Sequence, residues 1–276
     1  METPPSYPLA ASQLSPPGVL GVGVGAIRVV ASVLLLTVAC ILVLIGAVIP
    51  GRWKGAGASM WVVWVVCRTF LLLNRVRLDV TEAETLTNAR GFVFFNHVSY
   101  LDIPVLLAAR PLRFLATAGV RRIPFIGWMA RAVGTVFVHR GDGASREAAR
   151  GELAAAFQRS PTPIALAPEG GVQHGPYVRP FRHGAFEVAA EAEAPVLLVA
   201  LDFAPRGYAA WVDGESLLAG YWRLASRTAP LVARIVALPP AETVNGVPAV
   251  SAQRAEVRIN EALEAIWSVT PPRPAP

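Results

Sequence analysis

Lysine is all but missing from this chain of 276 residues: of its 25 basic residues, only Lys54 is a lysine. With arginine so dominant, a single arginine inside a motif carries less information than usual. Cysteine is scarce too. Cys40 and Cys67 both fall in apolar stretches, which excludes a disulfide framework or a thiolate zinc site and leaves the pair as small packing residues. Charged side chains make up only 16% of the chain. They are scattered, with no basic cluster and no alternation of aromatic and basic residues, so the formal net charge of +6 does not read as a nucleic-acid interface. Attraction to anionic lipid headgroups accounts for it better. The serine elbow Gly-x-Ser-x-Gly occurs nowhere, which removes the usual nucleophile of a layered lipid hydrolase and leaves that class only water as acceptor.

What the chain has in excess is apolar residues, 54% of the total and concentrated near the front. Val29 to Gly51 is a run of 23 residues without a charge. As a helix it would span roughly 35 Å, enough to cross a hydrocarbon core of about 30 Å. It follows a proline-rich tail and ends at Pro50-Gly51-Arg52 rather than at a small-residue cleavage site, so it reads as a retained anchor and not a signal peptide. A second apolar stretch, Gly55 to Asn74, is interrupted only by Arg68 and carries Trp61 and Trp64, residues that favour the membrane interface. Two topologies follow. If only the first segment spans, Arg52, Lys54, Arg68, Arg75 and Arg77 on its C-terminal side place the main domain in the cytoplasm. If both segments form a hairpin, Arg52 and Lys54 lie at its tip, and a hairpin dipping into one leaflet explains them better than a full crossing. Either arrangement is compatible with attachment to the cytoplasmic membrane and a main domain facing the cytoplasm. The expected organisation is a disordered tail over 1–17, an anchor over 18–74, a main domain over 75–268 and a disordered tail over 269–276.

From Val76 onward, short β-rich runs alternate with helical patterns. The runs are Val76 to Val80, Gly91 to Phe95, Arg113 to Ala116, Thr135 to Val138, Pro163 to Ala167, Pro195 to Phe203 and Leu231 to Leu238. Several are continuous Val, Leu and Phe rather than alternating, as strands buried on both faces require. Between them, helices are predicted from Ser145 to about Arg159, from Arg182 to Glu193, and on the stripe Ala255, Ile259, Ala262, Leu263 and Ile266. The fold class is therefore α/β, a layered mixed sheet flanked by helices behind an N-terminal helical membrane anchor. Its ligands belong in a crevice at strand ends.

After the run Gly91 to Phe95 the chain reads Asn96-His97-Val98-Ser99-Tyr100-Leu101-Asp102. A histidine at a strand end with a carboxylate five residues on can make a general base, the aspartate fixing the tautomer and stabilising the imidazolium. Chance alone would give some histidine an aspartate at that spacing with probability about 0.07. A second reading also has a mechanism: Ser99 as N-cap, with Asp102 three residues later, resembles a capping box opening the helix through Leu106 to Ala109.

Three further motifs occupy strand ends. Arg122-Ile123-Pro124-Phe125-Ile126-Gly127-Trp128 leads into Gly134-Thr135-Val136-Phe137-Val138-His139-Arg140, where a strand delivers Arg140, whose planar guanidinium can grip phosphate or stand solvated. Ala167-Pro168-Glu169-Gly170-Gly171 puts a carboxylate beside glycines that permit close approach, or is a surface turn. Arg179-Pro180-Phe181-Arg182-His183-Gly184 enters a helix whose N-terminus attracts anions. His174, His183 and Glu169 lack ligand spacing, and no metal site is expected.

In this order, residues 90 to 205 resemble the glycerolipid acyltransferase family that includes the 1-acyl-glycerol-3-phosphate and other lysophospholipid acyltransferases. NHVSYLD looks like that family's His-x4-Asp block, RIPFIGW with GTVFVHR like its second, PEG like its third and APVLLVAL like its fourth. The resemblance implies transfer of a fatty acyl group from acyl-CoA or acyl carrier protein to the free hydroxyl of a lysolipid, with 1-acyl-sn-glycerol-3-phosphate first among acceptors and phosphatidic acid as product. It implies no cofactor beyond that co-substrate. His97 would be the base and Asp102 its orienting partner, Arg140 would bind the acceptor phosphate, and Glu169 with Gly170 would place the acceptor. Arg182, in the PFRHGAF continuation, joins the substrate-binding set. Where the family continues its third block with a hydroxyl residue and often an arginine, this chain has Gly171-Val172-Gln173. That departure, with PFRHGAF, opens a branch acting on other lyso-lipids, such as lyso-ornithine lipid, or a non-catalytic lipid-binding relative.

Overall fold

The computed structural model describes residues 16–138, 143–172, 177–212 and 214–269. The readings placed on the tails, on Arg140 and on His174 fall almost wholly outside the described residues; only Pro16, Pro17 and Val269 of the tails are among them.

All seven runs form strands: β1 (Val76–Thr81), β2 (Phe92–Phe95), β3 (Arg113–Thr117), β4 (Val136–Val138), β5 (Ile164–Leu166), β6 (Pro195–Ala204) and β7 (Leu231–Thr243). They build one sheet in the order β1-β7-β6-β2-β5-β3-β4. From β6 to β4 neighbours are parallel, β7 runs antiparallel to β6, and β1 is parallel to β7. The central strand β2 shows why its sequence is continuously apolar. Val93 and Phe95 face a layer formed with Met60, Cys67, Val105 and Leu106, whereas Phe92 and Phe94 face one formed with Leu153, Phe186, Ile259 and Leu263. Each face of the pleat meets helices, so no polar position remains.

The helices of the first layer are α1 (Val19–Val48), α2 (Ala58–Leu73), α3 (Ala83–Asn88) and α4 (Asp102–Ala109). Beyond them come α5 (Ile126–Ala132), α6 (Gly143–Arg159), α7 (Gly184–Glu191), α8 (Leu217–Ala225) and α9 (Pro248–Val269). The predicted stripe on α9 is the buried one, with Ala255, Ile259 and Leu263 in the core.

α1 and α2 form the hairpin. α1 is long and apolar enough to cross a membrane by length and composition, yet it packs along the domain. Gly21, Gly25, Arg28, Ser32, Ala39, Cys40, Val43 and Gly46 form its buried stripe, the recurring three- and four-residue steps of a helix seated on one face. The Arg28 guanidinium is buried and donates to the carbonyls of Ala225 (2.9 Å), the last residue of α8, and Arg227 (2.5 Å) just beyond it. A Cβ at position 21 would stand 2.7 Å from Ser226 O and one at position 25 would stand 3.0 Å from Ser226 Cα, so glycines let α1 approach this closely. Val30, Val33, Leu34, Val38, Ile41 and Ile45 point away from the domain and are exposed.

Candidate active site

In the parallel pair β2 and β5, Phe94 lies opposite Leu166. Three residues beyond each stand His97 and Glu169, so sheet register alone brings both to one end. That end is the C-terminal edge of the parallel strands, where α/β sheets hold their ligands.

The imidazole and the carboxylate meet: His97 Nδ1 is 2.7 Å from Asp102 Oδ2. The same oxygen accepts from the backbone N–H of Val98 (2.8 Å) and Ser99 (3.0 Å). One atom of Asp102 therefore makes both the local turn contact and the ring contact. It closes the turn as a capping residue would, and it faces the ring. The Ser99 side chain departs from a capping box, however. Its Oγ donates to Ala209 O (2.5 Å) and accepts from Leu101 N (3.0 Å), a short turn motif of serine. An accepting oxygen opposite Nδ1 assigns the ring proton to Nδ1 and leaves the Nε2 lone pair outward. Asp102 is fully buried while the His97 side chain keeps 24% of its surface exposed, so the carboxylate is dry and the ring is partly open.

Glu169 is 5% exposed, and its carboxylate is turned to the backbone. Oε1 accepts from His97 N (2.8 Å) and Oε2 from Arg179 N (3.0 Å), tying the His97 loop to the segment that leads into α7. Burial pushes this carboxyl up to about 7, against the pull of the two backbone donors. Gly170 has φ +74°, and a Cβ there would lie 2.5 Å from Arg182 Nε. The positive φ demands glycine, and the contact shows that the Arg182 side chain lies against the turn. Arg182 therefore lies directly on the Glu169-Gly170 turn, and its own N–H donates to Pro168 O (3.0 Å). The structure brings His97, Asp102, Glu169, Gly170 and Arg182 together. β4 ends at Val138 on the same edge of the sheet, and Arg140 lies outside the described residues.

Sequence reasoning missed the supports. Asn96, buried, donates to Leu201 O (2.9 Å) and accepts from Leu201 N (2.7 Å), continuing the β2–β6 ladder with a side chain and fixing where His97 starts. Its signal was a polar residue closing an otherwise apolar strand. Tyr100 donates to Gly220 O (2.7 Å) and Val98 O accepts from Trp211 N (3.3 Å), contacts no local pattern could announce. Among the described residues no group of three or more His, Cys, Asp or Glu could hold a metal.

A layered α/β domain with a His–Asp pair at the carboxyl edge of its parallel strands is the class of this molecule. Residues 77–202, a little under half of the chain, match the family model described as Acyltransferase, and that segment is an acyltransferase domain. The lyso-ornithine lipid O-acyltransferase of Pseudomonas aeruginosa is 37% identical over 133 residues, 47% of this chain and 51% of that protein. The 1-acyl-sn-glycerol-3-phosphate acyltransferase of Neisseria gonorrhoeae is 33% identical over 108 residues, 39% of this chain and 42% of that protein. In both cases the matched region spans about half the relative's length or less. The crystal structure of the 1-acyl-sn-glycerophosphate acyltransferase PlsC from Thermotoga maritima superposes with a TM-score of 0.60 at 20% identity, covering 86% of this chain and 98% of that one. At that identity the likeness concerns the fold.

Proposed function

We propose that this protein is a membrane-associated O-acyltransferase that moves a fatty acyl group from a thioester, acyl-CoA or acyl carrier protein, onto the hydroxyl of a lysolipid. The observation that carries this reading is the 2.7 Å contact of His97 Nδ1 with buried Asp102, on a ring that is itself partly exposed. In the reaction, Nε2 takes the acceptor hydroxyl proton as that oxygen attacks the thioester carbonyl. The tetrahedral intermediate collapses, an ester forms, the C–S bond breaks, and the imidazolium returns its proton to the leaving thiolate. A positioned base contributes about 10²–10⁴-fold. The remainder comes from alignment of the two substrates and stabilisation of the oxyanion. In this account Glu169 acts through the backbone it holds, setting the His97 loop against the Arg179–Arg182 segment.

The first acceptor is 1-acyl-sn-glycerol-3-phosphate, with Arg140 receiving its phosphate and phosphatidic acid as product. A second acceptor, lyso-ornithine lipid, is favoured by a specific observation. The 37%-identical relatives of Pseudomonas aeruginosa and Rhodobacter capsulatus carry that name, and Gly171-Val172 supply no hydroxyl or guanidinium after Gly170. Purified protein in mixed micelles, given each donor and both lysolipids, separates them. An Arg140→Ala variant should lose about tenfold or more in kcat/KM with the phosphate acceptor, as expected for a lost charge-assisted contact, and little with the phosphate-free one. Equal loss with both would remove the phosphate role of Arg140.

The hairpin supports attachment to one leaflet rather than a crossing. A helix whose buried stripe follows the domain from Gly21 to Gly46 cannot leave it to span a bilayer without losing that seat. Its outward face of Val, Leu and Ile suits insertion at the headgroup and acyl boundary, where lysolipid and acyl chain both reside. We place the domain on the cytoplasmic side of the cytoplasmic membrane.

A further inference from the structure

A cavity of about 660 Å³ opens at the turn between α1 and α2. It lies away from the His97 site: its walls include Gly134, Thr135 and Val136 before and at the start of β4, Arg113 at the start of β3 and Thr162 just before β5. Those strands run parallel in one series with β2, whose opposite end leads to His97.

Four arginines line it, Arg52, Arg113, Arg121 and Arg159, against one carboxylate, Glu152. Arg113 is buried and four of its five N–H donors are held by protein carbonyls, Nη1 on Ala156 O (2.6 Å), Nε on Thr162 O (3.0 Å) and Nη2 on Ser160 O (3.1 Å) and Thr162 O (2.7 Å). It is a fixed positive charge in the wall. Burial, with Arg52 and Arg159 nearby, lowers it to about 10. Arg52 reaches Ser160 Oγ (2.5 Å), and Arg121 and Arg159 make no ion pair among the described residues. Like charges held in one hollow with a single acid call for an anion. The rim says where it comes from. Val48, Ile49 and Trp53 are exposed at the turn, with Lys54 Nζ 4.9 Å from the Trp53 ring, an aliphatic, aromatic and basic combination suited to the lipid interface.

We infer that this cavity is a second, non-catalytic phosphate site that takes the headgroup of an anionic membrane phospholipid, gripped by Arg52, Arg121 and Arg159 in front of Arg113. It docks the turn of the hairpin while α1 lies in the leaflet.

Flotation of the full-length protein with phosphatidylcholine vesicles, with and without phosphatidylglycerol, tests the inference. Near a surface each arginine is worth about fivefold in binding, so R121Q/R159Q should lose roughly 25-fold on anionic vesicles and nothing on neutral ones. R121K/R159K, which keeps charge but not the bidentate fork, should still lose about fivefold. A matched pair on exposed surface elsewhere, R90Q/R254Q, should lose less than about threefold. Acyl transfer in neutral micelles should be unchanged in all three. Equal loss in the matched pair, or full retention in the lysine variant, would reduce the site to diffuse charge and overturn it. Soluble coenzyme A or glycerol phosphate provides the remaining arm. Displacement of the wild-type protein from anionic vesicles by either would assign the cavity to a soluble phosphate and overturn the lipid.

Discussion

One carboxylate oxygen organises the site at the scale of residues. Asp102 Oδ2 receives His97 Nδ1 and two backbone donors, so an Asp102→Asn variant keeps these contacts only by placing its NH2 group at the buried, unpartnered Oδ1 position, and it loses the negative charge that stabilises the imidazolium. Transfer should fall about 10²–10⁴-fold, the share a positioned base supplies, with the circular dichroism spectrum kept; retention of full activity would show that the charge of Asp102 is not needed by the base. Glu169 makes a pH prediction. Its folded value near 7 lies above the ordinary 4.5, so the folded chain holds the proton longer than the unfolded one. Its contribution to stability is complete below about 4.5 and is lost as pH climbs to 7, by about 1.4 kcal/mol per unit at most. Thermal melts across that window should slope downward in the wild type and less so in Glu169→Gln, which also leaves one backbone donor unmatched at a cost of about 1–3 kcal/mol. Identical slopes would contradict the burial argument. The His–Asp pair was legible because five-residue spacing is local. The turned-in carboxylate of Glu169 was not, because its partners at His97 and Arg179 arrive only through the fold.

Strands were the easiest elements to read, since a short, continuous β-branched or aromatic run has few other homes. β2 is the clearest case, four residues all buried. Helices α3, α5 and α8 escaped. α5 is seven residues long and starts after Phe125 at φ +60°, and α8 declares itself through tertiary contacts such as Tyr100 with Gly220. Periodicity is too short in such pieces to register. α1 was read as an apolar helix, but its seat depends on partners two hundred residues away. Arg28→Met would leave the carbonyls of Ala225 and Arg227 unmatched and should destabilise by about 2 kcal/mol, and Gly25→Leu, forced against Ser226, by about 1–3 kcal/mol. Melting in detergent micelles checks both; unchanged midpoints would mean that α1 is not held by α8.

For the whole molecule, the sequence supplied the layered mixed sheet and the family blocks in order, and left open how the front of the chain meets the bilayer. Packing of α1 along the domain supports one leaflet. Leu20→Cys at the start of α1 and Trp53→Cys at the turn, both at exposed positions with the native cysteines buried, should react with an impermeant maleimide from the same side of sealed vesicles. Labelling from opposite sides would mean a crossing. In the proposed reaction both proton transfers pass through the imidazole at the end of β2. The most direct measurement is therefore paired thiol release and lipid-ester formation by wild-type and His97→Ala protein in micelles, at matched helicity and melting temperature. The wild type should yield thiol and ester in equal amounts and the variant should be slower by at least about 10²; ester formation at the wild-type rate in the folded variant would contradict the account.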